Sequence, residues 1–145
     1  MQLRTKTDTI VIHCSATPED MDIGVEKIRE WHVKERGWDD VGYHYIIRRD
    51  GMLEHARSEK YMGAHARAVN YCSIGICLIG GSNKSGEWEN NFTESQFKIL
   101  ANLLLNLKDR YSLTKIIGHY EVEEKKKCPS FNVPEWLKKE NINVV

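Results

Sequence analysis

The sequence predicts an α/β fold in which one mixed β-sheet is covered by helices, within a single domain spanning residues 1–145. Short apolar, β-branched runs alternate with segments whose apolar residues recur at helical spacing, as in α/β proteins. An Asp-Gly pair at residues 50–51 indicates a hairpin, which adds antiparallel pairing to the sheet. A chain of 145 residues can bury one core, so we expect one domain.

The first half of the chain is predicted to form a strand, a helix and a hairpin. Residues 9–13 are mostly β-branched and apolar, as in a strand buried on both faces of a sheet. Apolar positions recur at helical spacing over residues 25–36, and Gly37 follows as a C-terminal stop. Residues 43–49 and 52–56 have the pattern of two strands joined by the Asp-Gly turn.

The second half is predicted to form two more strands, each followed by a helix. Residues 73–79 form a short apolar run with the composition of a central strand. Thr93 and Gln96 have the spacing of a capping box, which predicts the start of a long amphipathic helix. Residues 115–119 indicate the last strand, and Pro134 introduces a short terminal helix.

Charge and hydropathy argue against two classes of partner. The 21 basic and 21 acidic side chains cancel, so the chain lacks the positive field that favours nucleic acid. No apolar stretch approaches a membrane span, and residues 1–6 lead into a strand rather than into a signal peptide. We expect no nucleic acid or membrane partner, a monomer, and synthesis in the cytoplasm without an export signal.

Two histidines and one cysteine form a candidate zinc site. His13 and His119 end predicted strands, and strand ends are where α/β sheets usually bind ligands. Cys128 lies nine residues after His119 and directly follows the lysines at 125–127, whose charges favour the metal-binding thiolate. Two imidazoles and one thiolate leave the fourth position of a tetrahedral zinc ion open for water, as in catalytic sites.

A cysteine nucleophile is the alternative that the residues leave open. Cys128 or Cys14 could attack a carbonyl carbon, with a histidine as the base. All four cysteines are expected to be thiols, since a cytoplasmic chain with a substantial core rarely depends on disulfides. Spacing alone does not decide between a zinc ligand and a nucleophile at Cys128.

Short segments spread nearly from end to end of the chain match a known family. They are IHCSAT at 12–17, GV at 24–25, IREWH at 28–32, VGYHY at 41–45, RDG at 49–51, SIGICL at 73–78, NFT at 91–93 and CPSF at 128–131. Together they resemble the type 2 N-acetylmuramoyl-L-alanine amidases and peptidoglycan recognition proteins. The resemblance implies that family's fold, a mixed sheet with flanking helices, and a Zn²⁺ cofactor held by His13, His119 and Cys128.

The resemblance also implies an activity and two catalytic side chains. The activity is hydrolysis of the amide between the lactyl group of N-acetylmuramic acid and L-alanine in peptidoglycan. Tyr43 and Lys126 match the family's tyrosine and lysine, which would stabilise negative charge on the amide oxygen. Phage members have one residue fewer between the second histidine and the cysteine, so Lys125 or Lys127 could take the role of Lys126.

Further expectations from the resemblance concern the substrate and the biological setting. His44, His65 and Asn70 match positions near the family's substrate groove, and a structural loop role is the alternative for the last two. A phage or prophage endolysin, released to the wall by a holin, is the expected setting, and a phage relative also inhibits RNA polymerase. Some relatives bind peptidoglycan without cleaving it after losing the cysteine, but Cys128 is present here.

Overall fold

A five-stranded mixed sheet forms the centre of the protein, whose computed structural model describes residues 1–144. The strands are β1 (Thr9–Cys14), β2 (Tyr45–Ile47), β3 (Leu53–His55), β4 (Ser73–Leu78) and β5 (Lys115–Gly118). Their order across the sheet is β3-β2-β4-β1-β5, with only the β2–β3 pair antiparallel. The predicted fold class is confirmed, although the hairpin strands are shorter than the apolar pattern indicates.

Helices cover both faces of the sheet. They are α1 (Val25–Arg29), which continues as a π-helical segment (Glu30–Glu35), α2 (Glu94–Arg110) and α3 (Val133–Lys139). Two short 3-10 helices, Arg67–Cys72 and His119–Glu121, directly precede β4 and follow β5, respectively. Within residues 1–144, every helix is too short or too polar to cross a lipid bilayer.

The predicted helix over residues 25–36 is present but changes its hydrogen-bonding pattern partway. From Glu30 the wider π-helical turn begins, and the Arg36 N–H bonds to the Trp31 carbonyl at 3.2 Å. The buried His32 accepts a hydrogen bond at Nδ1 from the N–H of Gly42 at 2.9 Å. This contact comes from a distant loop, so the helical periodicity does not reveal it.

The two faces of the sheet carry unequal amounts of core. On one face, β1 and β4 pack against α2, with residues such as Ile10, Ile76 and Leu104 fully buried. The opposite face has a smaller cluster that includes Ile28 of α1. Because side chains alternate along a strand, Ile10 and Ile12 enter the larger core while His13 belongs to the opposite face. The thinner face is therefore where a cleft can form.

The start of α2 is tied to the sheet by a buried glutamine. The Thr93 side chain accepts a hydrogen bond from the Gln96 N–H, and the Gln96 side-chain oxygen accepts one from the Thr93 N–H, which confirms the predicted capping box. The Gln96 amide also donates to the carbonyls of Ile47 at 3.2 Å and Ile79 at 2.9 Å. One side chain therefore caps the helix and joins it to the ends of two strands.

The far end of α2 is tied to the loop after β3 by a carboxylate. Glu59 accepts two hydrogen bonds of 3.0 Å from Arg110, one of 2.7 Å from the Tyr111 hydroxyl, and another from Tyr45. Burial raises the pKa of Glu59, but these donors outweigh it and hold the pKa at about 2. The folded protein thus favours the charged form of this carboxylate.

We predict that Glu59→Gln lowers the free energy of unfolding by about 2 kcal/mol at pH 7, because a depressed pKa in the folded state stabilises the fold. That stability is present above the ordinary pKa of 4.5 and is lost as the pH falls toward the folded value of about 2. Urea denaturation at pH 7 and pH 3 should therefore show a smaller difference between variant and wild type at pH 3. The exposed Glu89→Gln is the control, and an equal effect of both variants would contradict the prediction.

Candidate metal centre and active site

Two neighbouring parallel strands bring the candidate histidine ligands together. His13 is the fifth residue of β1, and His119 directly follows β5. Ile12 pairs with Gly118 across these strands, so the two histidines leave the sheet side by side at the same edge. Their ring centroids lie 4.6 Å apart, and both residues are buried.

Cys128 approaches the two histidines from the loop after the second 3-10 helix. Its sulfur accepts a hydrogen bond from the backbone N–H of Cys14 at 3.1 Å and lies 3.8 Å from Nδ1 of His13. Its carbonyl accepts one from the Tyr120 N–H at 3.0 Å, which anchors the loop. One ligand atom from each of His13, His119 and Cys128 lies within 4.8 Å of the other two.

Burial keeps both imidazoles neutral, the form that binds metal. Burial lowers the pKa of His13 well below 6.5, and neighbouring His65, His119 and Lys126 lower it further. Burial also lowers the pKa of His119, although a 2.7 Å hydrogen bond to the Glu123 carboxylate opposes this shift. Neither ligand nitrogen therefore has to lose a proton at neutral pH before it binds a cation.

The Cys128 side chain, unlike the two imidazoles, has to lose a proton before it can bind a metal ion. Its side-chain contact with Cys14 and its burial raise its pKa well above 9.0. A divalent cation reverses this balance, because a thiolate bound to the cation is far more stable than an isolated buried thiolate. Two neutral imidazoles and one buried thiol are a donor set that fits zinc.

A cleft of about 920 Å³ opens above these three side chains, on the face of the sheet with the smaller core. Its size lies in the range of sites that bind small molecules and cofactors. Aromatic and polar side chains form its walls, among them Trp31, His32, Trp38, Arg67, Trp88 and Glu123. The sequence alone assigns none of these residues a functional role, and its only signal is the position of Trp31 and His32 on the predicted helix.

Tyr43 and one of the three lysines line the same cleft. The Tyr43 ring centroid lies 5.1 Å from that of His13, and burial raises the pKa of its hydroxyl well above 10.0. Tyr43 therefore remains a hydrogen-bond donor at neutral pH. Lys126 lines the cleft, Lys127 lines an adjoining cavity beside Trp88, and neither set of lining residues includes Lys125.

Of the three side chains predicted near the substrate groove, His65 lines the cleft. His44 is buried, and its ring nitrogens bond to the Gly75 N–H at 3.0 Å and the Tyr61 carbonyl at 2.8 Å. The Asn70 side chain accepts hydrogen bonds from the backbone N–H groups of His65 and Ala66. The structure therefore places His44 and Asn70 among internal hydrogen bonds behind the cleft wall, and their contact with substrate stays a prediction.

Comparison with known proteins agrees with the geometry. The profile described as N-acetylmuramoyl-L-alanine amidase matches residues 3–131. The endolysin of Escherichia phage T7 is 45% identical over 139 residues, covering 96% of this chain and 91% of the relative. The amidase LysC from Clostridium intestinale shares the fold with a TM-score of 0.80 and 30% identity, covering 99% of this chain and 95% of LysC. Drosophila PGRP-LB matches with a TM-score of 0.79 and 25% identity over 100% and 88% of the two chains.

These matches confirm the resemblance and the fold expected from it. The profile and the phage relative each cover most of the chain, so the likeness extends well beyond the ligand segments. The chain therefore belongs to the N-acetylmuramoyl-L-alanine amidase family.

Proposed function

We propose that this amidase is a zinc enzyme that hydrolyses the amide between the lactyl group of N-acetylmuramic acid and L-alanine in peptidoglycan. The observation that carries the proposal is the convergence of His13, His119 and Cys128 within 4.8 Å at a cleft of about 920 Å³. Zinc held there would polarise the amide carbonyl and activate a water molecule for attack.

Cys128 is better suited to bind zinc than to act as a nucleophile. A cysteine–histidine pair needs one histidine as base, yet His13 and His119 both have a ligand atom near the sulfur. Two imidazoles around one sulfur support a metal site.

Tyr43 and Lys126 supply the polar groups that the reaction requires. As water adds to the carbonyl carbon, the amide oxygen gains negative charge, and fixed donors directed at that oxygen lower the barrier. The Tyr43 hydroxyl keeps its proton because burial raises its pKa, and Lys126 lines the same cleft with a positive charge. Both are proposed to stabilise this charge.

We further propose that the enzyme serves a phage or prophage as an endolysin, made in the host cytoplasm and released to the wall by a holin. The support is the endolysin name of the Escherichia phage T7 relative, which is 45% identical to this chain. Binding to a phage RNA polymerase stays a prediction, which a pull-down from infected cells would test.

Metal removal tests the zinc requirement. Purified protein should contain about one zinc ion per chain and release free L-alanine amino termini from cell walls. A chelator should abolish this release and added zinc should restore it, because the proposed zinc ion is the group that would activate the attacking water. His119→Ala should weaken zinc binding at least about 100-fold, whereas the exposed His55→Ala should not. Full activity of the metal-free protein would overturn the proposal.

Substitution of each lysine in turn tests which one acts on the substrate. Lys126→Met should lower kcat about 100-fold with zinc content unchanged, since a donor to the developing charge is lost. Lys125→Met and Lys127→Met are matched controls that should leave kcat nearly unchanged, because those side chains do not line the cleft. A larger loss in either control than in Lys126→Met would assign the role to another lysine.

Tyr43→Phe isolates one hydroxyl. We expect kcat to fall about 100-fold while zinc content and thermal stability change little, because the ring and its packing are retained. Tyr71→Phe is the control, since Tyr71 is 54% exposed and does not line the cleft. Unchanged kcat in the Tyr43 variant would remove the hydroxyl from the mechanism.

A further inference from the structure

We propose that His65 is a positioning residue that fixes the tautomer and orientation of His13, and that Ser73 completes this hydrogen-bond chain. The inference rests on the proposed zinc site, but it concerns a residue that would not contact the metal. It also gives His65 a role different from the substrate contact that its sequence position implies.

The carrying observation is a chain of hydrogen bonds that begins at His13 and leads away from the ligands. Nε2 of His13 lies 2.8 Å from Nδ1 of His65, and Nε2 of His65 lies 3.2 Å from Oγ of Ser73. All three residues are buried, with Ser73 fully inaccessible to solvent. Each ring nitrogen of His65 therefore has one partner within the protein.

The geometry determines which atom donates and which accepts in each of these hydrogen bonds once a metal binds. Nδ1 of His13 lies 3.8 Å from the Cys128 sulfur, so this nitrogen faces the other ligands and Nε2 faces His65. A metal at Nδ1 requires the proton of His13 to lie on Nε2, from which it is donated to Nδ1 of His65. His65 then carries its own proton on Nε2 and donates it to Ser73. One tautomer of each ring satisfies the whole chain.

Two glycines make room for the His65 ring. A Cβ atom added to Gly75 in β4 would lie 2.6 Å from Cγ of His65, and one added to Gly63 would lie 2.5 Å from Cδ2. A glycine within a strand reduces strand stability, and close approach of another group is a common reason for its presence. Asn70 holds the His65 backbone by accepting its N–H at 3.0 Å. The ring is thus held from several sides, as a positioning residue requires.

Such a partner changes metal affinity without touching the metal. A ligating histidine usually donates its second N–H to a fixed acceptor, and loss of that acceptor typically weakens metal binding about 10- to 100-fold. The acceptor is usually a carboxylate, a carbonyl or water, whereas here it is a second buried imidazole. His65→Leu removes the acceptor, whereas His65→Asn can keep an oxygen near the position of Nδ1.

Zinc affinity measured by competition with a chromophoric chelator tests the proposal. We expect His65→Leu to raise the zinc dissociation constant about 10- to 100-fold and His65→Asn to restore most of the loss. Gly75→Ala should weaken binding although His65 is intact, because the added Cβ displaces the ring. The exposed His55→Leu is the matched control and should bind zinc like the wild type.

The outcomes separate this inference from the zinc proposal. A wild type that binds no zinc would overturn the proposed function, whereas tight binding by both wild type and His65→Leu would overturn only the role of His65. Equal losses in the leucine and asparagine variants would also overturn it, because packing rather than the hydrogen bond would then matter. Nitrogen-15 NMR of the zinc-loaded wild type is a test that does not depend on whether a variant folds. A proton on Nε2 of His13 supports the proposal, and a proton on Nδ1 overturns it.

Discussion

The parallel pairing of β1 with β5 is the constraint on which the candidate site depends. It sets Ile12 opposite Gly118, so the next residue of each strand, His13 and His119, emerges at the same edge. The two residues are far apart in sequence, yet their ring centroids come within 4.6 Å without any special loop. A shift of one residue in this register would turn His13 toward the α2 face and separate the pair.

The remaining parts of the site are held to this frame by hydrogen bonds to the backbone. The N–H of Cys14 at the end of β1 bonds to the Cys128 sulfur, so the third candidate ligand is positioned by the strand that carries the first. On the other side of β1, strand β4 supplies Ser73 and the bare backbone of Gly75, against which the His65 ring packs. Three adjacent strands thus position the candidate ligands and the partner of His13, His65.

The sequence allowed prediction of the fold class, because the fold class depends on local signals. The candidate metal ligands were expected from the family resemblance, and the structure brings those three side chains together. Apolar runs mark the five strands, and the spacing of Thr93 and Gln96 marks the start of α2. The π-helical segment was not predicted, because the apolar spacing over residues 25–36 is that of an ordinary helix. The 3-10 helix Arg67–Cys72 has no apolar periodicity, so it was missed.

Side-chain direction is the second kind of information that the sequence lacked. Three consecutive lysines are the same residue type, and only their positions in the folded loop distinguish Lys126, which lines the cleft. His44 and His65 are likewise equivalent as residue types, yet one is enclosed by backbone groups and the other reaches His13. The residue types determine which chemical groups are available. The tertiary structure determines which lysine lines the cleft and which histidine contacts His13.

The unequal cores on the two faces of the sheet have a consequence for how such a domain can change. Most of the buried apolar surface lies on the α2 face, so that face contributes most of the hydrophobic stabilisation. The cleft lies on the opposite face, above a small cluster around Ile28. Substitutions in the cleft walls therefore alter its shape and polarity with little effect on the main core. A scaffold divided in this way can acquire specificity for other peptidoglycans or other ligands in small steps while it remains folded.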